Sequence, residues 1–342
     1  MTGRTLSGVL ALLLAVGVVW AQDDERVLLR YHWNPGEEIV WDVTSETTGA
    51  MIMRDLTKDP VEETVTSVWN RVVMPITLFV ENVDEDGNAT VTYQMGVMEM
   101  DVEAEGRQQY IRIDPQAGTM TVDGEPAPVP EQMLAGMAGS FRMVISPQGE
   151  MIDMDVPEGL RALMGASGMD MEQWMKLSQG WAASFPEEPI GIGRVWGASM
   201  TPPLPVEGDA EGALAPPGEL TVLYRLLGSR VVNGVECAQI EMLGVMDFET
   251  LPTPGADAMP GVWGALDGVE MTIGPMNVSI SGTIDFDSVG GRLIASDASV
   301  IMDMTQRVKG TIPAPEGAQD VEVDMEIITH DMKVNSRVEV AR

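Results

Sequence analysis

Residues 276 to 286 read Met-Asn-Val-Ser-Ile-Ser-Gly-Thr-Ile-Asp-Phe, with an apolar residue or glycine at every even position and a polar residue at every odd one. A side-chain period of two belongs to an extended strand with one face in the core and one in water, and a helix would scatter the same residues round its circumference. After Gly290-Gly291 the alternation resumes on Ile294, Ala298, Val300, Met302 and Met304, so the two runs predict a hairpin about the glycines. The same pattern recurs along most of the chain. Val68 to Val80 and Ala89 to Val97 flank Asp84-Glu85-Asp86-Gly87, and Phe141 to Ile145 and Met151 to Met154 flank Pro147-Gln148-Gly149. Leu220 to Val232 and Val235 to Met246 flank Asn233-Gly234, the strongest short hairpin signal present. Pro75 removes a ladder donor and predicts an edge or a bulge, and the apolar set changes parity at Val97-Met98.

The period shifts only between the two β-rich stretches. Asp170 followed by Gln173 reads as a helix cap, and Met171, Trp174, Met175, Ser178 and Ala182 then share one helical face, running towards Phe185 before Pro186. Segments 201–218 and 251–264, rich in proline and glycine, predict long loops. The expected fold is mainly β with a minor helical part: a long curved antiparallel sheet or half-barrel packed on one central helix. Gly36-Glu37-Glu38-Ile39-Val40-Trp41 and Gly193-Arg194-Val195-Trp196 open the two stretches alike, which raises the expectation of two similar halves. The expected organisation is a leader over 1–21, an N-terminal β half over 22–156, a helical connector over 157–190 and a C-terminal β half over 191–342.

The leader follows from one cation, Arg4, ahead of an apolar run from Val9 to Trp20 that ends at Ala21. That pattern is an export signal, too short to span a bilayer stably, and it predicts a mature chain from Gln22 in the periplasm or outside the cell. No later apolar run is long enough for a membrane-spanning helix, so no transmembrane anchor is expected after cleavage. With a single cysteine, Cys237, no internal disulfide can form, and a small half-buried strand residue is the expected role. The net charge of −33 repels nucleic acid and anionic lipid head groups, which removes both as expected partners. Only Lys58, Lys176, Lys309 and Lys333 are lysines, a composition that suits a salty medium or reflects biased codon usage equally well.

Chemistry-bearing motifs are sparse. The two histidines, His32 and His330, stand near opposite ends of the mature chain without a nucleophile elbow, a zinc helix or a Cys-x-x-Cys beside them, so neither a metal, a cofactor nor a catalytic residue is expected. Asn82 to Gly87 imitates the start of a calcium loop, but the twelfth position, where a glutamate should close the shell, is Tyr93. Gly191-Ile192-Gly193 lacks the dinucleotide spacing and reads as a turn into a strand. Asn88-Ala89-Thr90 and Asn277-Val278-Ser279 are glycosylation sequons only in a host that glycosylates exports. The unusual abundance is methionine, 27 in the chain, mostly in the apolar phase of strands. Flexible thioethers fill cores or line adaptable pockets more often than they hold Cu(I).

The leader, the Gly36 to Trp41 strand, the hairpin Met143-Val144-Ile145-Ser146-Pro147-Gln148-Gly149-Glu150 and the strand Gly282-Thr283-Ile284-Asp285-Phe286 together resemble an uncharacterised family of exported bacterial proteins, often lipoproteins. The general plan also resembles LolA/LolB-like lipoprotein carriers at the level of fold. The absence of a lipobox cysteine departs from the lipoprotein members. The expected function is a non-catalytic envelope protein that binds an apolar ligand, a lipid acyl chain or a peptide, on a Met- and Trp-lined concave sheet. Met95, Met98, Trp174, Trp181, Ile280 and Met302 are the expected lining. Two other readings stand beside it: an envelope scaffold whose partner is another envelope protein, and a hydrolase built on a carboxylate pair.

Overall fold

The computed structural model describes residues 26–104, 106–128, 139–155, 184–200, 220–248, 251–252, 269–312 and 321–341. All regular structure among them is β. In chain order the strands are β1 (Arg26–Val27), β2 (Glu38–Asp55), β3 (Glu62–Val83), β4 (Ala89–Met95), β5 (Met98–Ala104), β6 (Arg107–Asp114), β7 (Thr119–Val122), β8 (Glu125–Ala127), β9 (Phe141–Ile145), β10 (Met151–Asp155), β11 (Ile190–Gly191), β12 (Val195–Met200), β13 (Leu220–Val232), β14 (Val235–Phe248), β15 (Leu251–Pro252), β16 (Val269–Asp287), β17 (Arg292–Ile312) and β18 (Val321–Val340). Sixteen of them form one antiparallel sheet, and β1 pairs with β11 alone. The expected helix over 170–185 lies outside the described residues, except that Ser184 and Phe185 are non-helical and Phe185 is buried in the core. No helix occurs among the described residues, and the sheet does not close into a barrel.

Its main path runs β12-β13-β14-β16-β17-β18-β2-β3-β5-β6-β7-β8. Most steps join consecutive strands, as the alternating pattern and its turn residues require. The exceptions are β14 to β16, β3 to β5, and the seam between β18 and β2, where Val340 faces Trp41 and Met325 faces Asp55. Pro75 marks a fork. Above it Ile76 to Val83 pair with β4, below it Trp69 to Val73 pair with β5, and Pro75, with no N–H to give, sits between and accepts the Gly96 N–H at 2.8 Å. The parity change at Val97-Met98 is thus the break between β4 and β5.

Two stretches of the sheet repeat one another rung by rung. In the first, Glu37 N–H donates to Asn34 O, Gly36 N–H to Val80 O and Val80 N–H to Glu37 O. In the second, Arg194 N–H donates to Gly191 O, Gly193 N–H to Leu226 O and Leu226 N–H to Arg194 O. Gly36 and Gly193 both have φ +82°, a region that glycine enters without strain. A register shift follows immediately after Val80 and after Leu226. The buried pairs Ala89 with Val91 and Ala238 with Ile240 then occupy equivalent rungs, and β9 and β16 receive them in the same way. A second shift falls at Met151/Asp153 and at Asp285/Phe286. The glycines anticipated from sequence coincide, whereas the tryptophans do not: Trp196 takes the place of Ile39, because it faces Tyr224 as Ile39 faces Leu78.

Each repeat carries its own core, one round Ile39, Leu78, Val80 and Val91, the other round Tyr224, Leu226, Ile240 and Phe286. The chain before β2 ties them together. Leu29 is buried in the second core and Trp33 in the first, while Tyr31 N–H donates to Pro147 O at 2.7 Å and His32 N–H to Gly291 O at 2.9 Å. Those two carbonyls belong to equivalent turns of the two repeats. The Tyr31 ring stacks on Trp33 at 5.1 Å and meets the edge of Phe286 at 5.1 Å, filling the joint with aromatic surface.

Candidate ligand-binding faces

Direct partners in an antiparallel sheet point to the same side, so the register assigns every side chain to a face. One face carries Ile39, Trp41 and Val43 of β2, Val72, Met74 and Ile76 of β3, Val334 and Val338 of β18, Val300 and Met302 of β17, and Val278 and Ile280 of β16. It is mainly apolar from one arm of the sheet to the other, interrupted by Ser45, Thr47, Ser296 and Ser336. The opposite face carries Thr44, Glu46, Arg71, Arg337, Asn335, Asp297, Ser299, Thr283 and Ser281.

The core clusters cover the apolar face at the end of the sheet that holds the arm before β2. Half-buried methionines follow on this face: Met74, Met95 and Met276 pack against the margins of the core clusters, and Met51, Met98, Met100, Met302, Met304 and Met332 lie beyond them. On β16, β17 and β18 they make a ladder in which Met276 faces Met304, and Met302 faces Val278 on one side and Met332 on the other. Gly49 leaves room there: a Cβ on it would lie 3.2 Å from Met332 Sδ.

Of the six residues expected to line a ligand site, Met95, Met98, Ile280 and Met302 all lie on this apolar face. They do not form one pocket. Met98 on β5 and Met302 on β17 are four strands apart along the sheet path, roughly 19 Å at the usual strand spacing. Ile280 is 6% exposed and belongs to the core of the second repeat. Trp174 and Trp181 lie outside the described residues. Met276 and Met332 were not among the expected lining; Met332 escapes a parity argument because a bulge shifts β18 between His330 and Lys333.

On the polar face a cavity of about 510 Å³ opens across β2, β18, β17 and β16. Its lining comes from two neighbouring rungs, Thr44-Arg337-Asp297-Thr283 and Glu46-Asn335-Ser299-Ser281, with Gly282, Ala298 and Ser336 between them. The sheet's hollow is here hydroxyl-lined, on the side opposite to the expected Met-lined concavity. Glu46 Oε1 accepts the Trp69 indole N–H at 3.1 Å. Arg337 Nε lies 3.8 Å from Asp297 Oδ1, and its Nη2 donates to Glu339, which raises the guanidinium pKa further.

Further along the same face the paired bulges of β17 and β18 gather Asp303, His330 and Asp331, whose ligand atoms lie within 4.8 Å of one another. His330 Nδ1 stands 2.9 Å from Asp303 Oδ1 and Nε2 stands 3.3 Å from Asp331 Oδ2. Each ring nitrogen therefore faces a different carboxylate. The calcium-like loop is likewise self-contained: Asp84 Oδ1 accepts the N–H groups of Asp86 and Asn88, and Oδ2 accepts the Asn88 amide. These bonds, the Asn88 side chain first, hold the Asp84 carboxyl below the usual carboxylate range.

No protein-family model and no curated protein matches this sequence. Three solved structures are similar at low scores. The chain aligns over 90% of its length with 25% of a lipovitellin chain, from a structure of lipid–protein interactions in lipovitellin, at 9% identity and TM-score 0.40. It aligns over 92 to 94% of its length with the whole of an outer-membrane channel from Pseudomonas putida F1 (6% identity, TM-score 0.18) and of OccK2 from Pseudomonas aeruginosa in complex with glucuronate (5%, TM-score 0.16). The chain thus spans about a quarter of the lipovitellin chain it matches.

Proposed function

We propose that this is a non-catalytic binding protein of the cell envelope that shelters acyl chains on its apolar face. One observation carries the reading: half-buried methionines from seven strands share a single face, and those of β2, β5, β17 and β18 lie beyond the packed cores. A well-packed interior favours branched aliphatic residues with fixed rotamers. Unbranched, polarisable thioethers suit an occupant without fixed shape, and an acyl chain is such an occupant. The strong negative charge of the protein keeps its other surfaces off anionic bilayers, which favours a carrier over a membrane-bound scaffold.

The test is to isolate the exported protein from its host without detergent and to analyse extracted lipid by mass spectrometry, alongside titration with a fluorescent fatty acid. Substituting Met302 or Met95 by Asn, one on each arm, is expected to weaken probe binding about tenfold on the arm that holds the ligand. An empty protein that ignores the probe overturns the reading.

A further inference from the structure

We infer that the cavity on the polar face is a second site, for a neutral oligosaccharide of two or three sugar units. The observation is independent of the acyl-chain reading, because the two sites occupy opposite faces of the sheet.

Three properties of the cavity point to this class of ligand. The first is size: two rungs on four adjacent strands make a trough roughly 14 Å across the strands and 7 Å along them, the footprint of a short chain of pyranose rings. A volume of about 510 Å³ lies in the range of small-ligand sites. The second is chemistry. Thr44, Thr283, Ser281 and Ser299 supply hydroxyls, Asn335 an amide, and Glu46 and Asp297 carboxylates, while the side chain of Ala298, between the two rungs, belongs by register to the opposite face. That density of donors and acceptors is wasted on an apolar ligand but matches the paired hydroxyls of a sugar. The third is charge: two carboxylates against the Arg337 guanidinium leave the trough net negative, within a chain of net charge −33, so anionic ligands are disfavoured.

The trough is also preformed. Its floor is four hydrogen-bonded strands, and Glu46 is held at its rim by the Trp69 indole. A rigid platform lets a polar ligand replace bound water without ordering the protein, which is the main cost of such recognition.

The experiment uses the whole exported chain and saturation-transfer NMR with maltotriose, cellotriose and chitotriose, with glucuronate and spermidine as charged controls. At least one trisaccharide is expected to bind with Kd below about 10 mM, and Thr283→Val and Ser299→Val to weaken it about tenfold each. Valine matches the shape of threonine, adds one methyl group in place of serine, and suits a strand, so thermal melts of both variants are expected to change little; Ser281→Val, at an exposed position, provides a further variant if either melts early. Failure of all three sugars to bind, binding that survives both substitutions, or displacement of the sugar by spermidine overturns the inference. Fatty-acid titration on the same variants is expected to be unaffected, which separates this site from the apolar face.

Discussion

Asp285 is 1% exposed on β16, and it is tolerable there because the Arg230 guanidinium grips both carboxylate oxygens from β13 across the intervening strand. A buried carboxylate that loses its partner keeps the full cost of desolvation. Replacing Arg230 by Met is therefore expected to lower stability by about 2 kcal/mol, moderated by the exposure of the arginine, as a shift in urea midpoint at constant slope. Tyr224, 1% exposed in the second core, has its phenol pushed up to about 12 by burial. Tyr31 and Tyr93 are raised to about 12 as well, again chiefly by burial. The unfolded chain ionises these phenols near 10, so the stability they contribute is complete below pH 10 and is lost as pH rises from 10 towards 12. Melting temperatures recorded across that window should fall steeply, and a Tyr224→Phe variant should fall less. Cys237 was readable as a strand residue, though expected half-buried where it is fully buried, whereas the Arg230–Asp285 pair was not readable, since 55 residues and an entire strand separate its members in sequence.

Turns and bulges set the register of every hairpin, and some were visible in advance. Asn233-Gly234 closes β13 and β14 with φ values of +53° and +84°, as its composition demands. Gly291 illustrates what composition hides. It turns the chain at φ +64°, and a Cβ there would lie 2.4 Å from the His32 nitrogen, so the turn can accept the arm before β2 only because the position is glycine. Gly291→Ala is expected to cost about 2 kcal/mol and to speed amide exchange of His32 more than that of β16. Pro75 shows a half-legible case: its missing donor implied an interruption of pairing, and the fork that supplies it depends on β4 and β5 dividing one long strand between them. Of the expected helix over 170–185 only Ser184 and Phe185 are described; neither is helical, and Phe185 packs against Tyr31 and Phe286.

Across the whole molecule, alternation announced a sheet of antiparallel hairpins, and repeated glycines hinted at two like stretches. The order of strands at the seam, the division into a methionine face and a hydroxyl face, and the trough across four strands depend on register, which shifts by one residue at each bulge and cannot be counted from sequence alone. The excess of 53 acidic over 20 basic residues acts on the entire fold through self-repulsion. Melting temperature should accordingly rise by about 5 °C between about 10 mM and 1 M sodium chloride, with little difference between chloride and acetate if screening is the cause.

The pairing of β2 with β18 joins residues roughly 300 positions apart, among the most distant contacts a chain of this length can make. A polypeptide made from its N-terminus must therefore carry β2 with one bare edge through the whole of synthesis, until Val321–Val340 arrives to cover it. Throughout that interval an open ladder of amides and carbonyls sits beside unshielded thioethers, a sticky intermediate that needs a holding chaperone or rapid completion of the chain to outrun clumping.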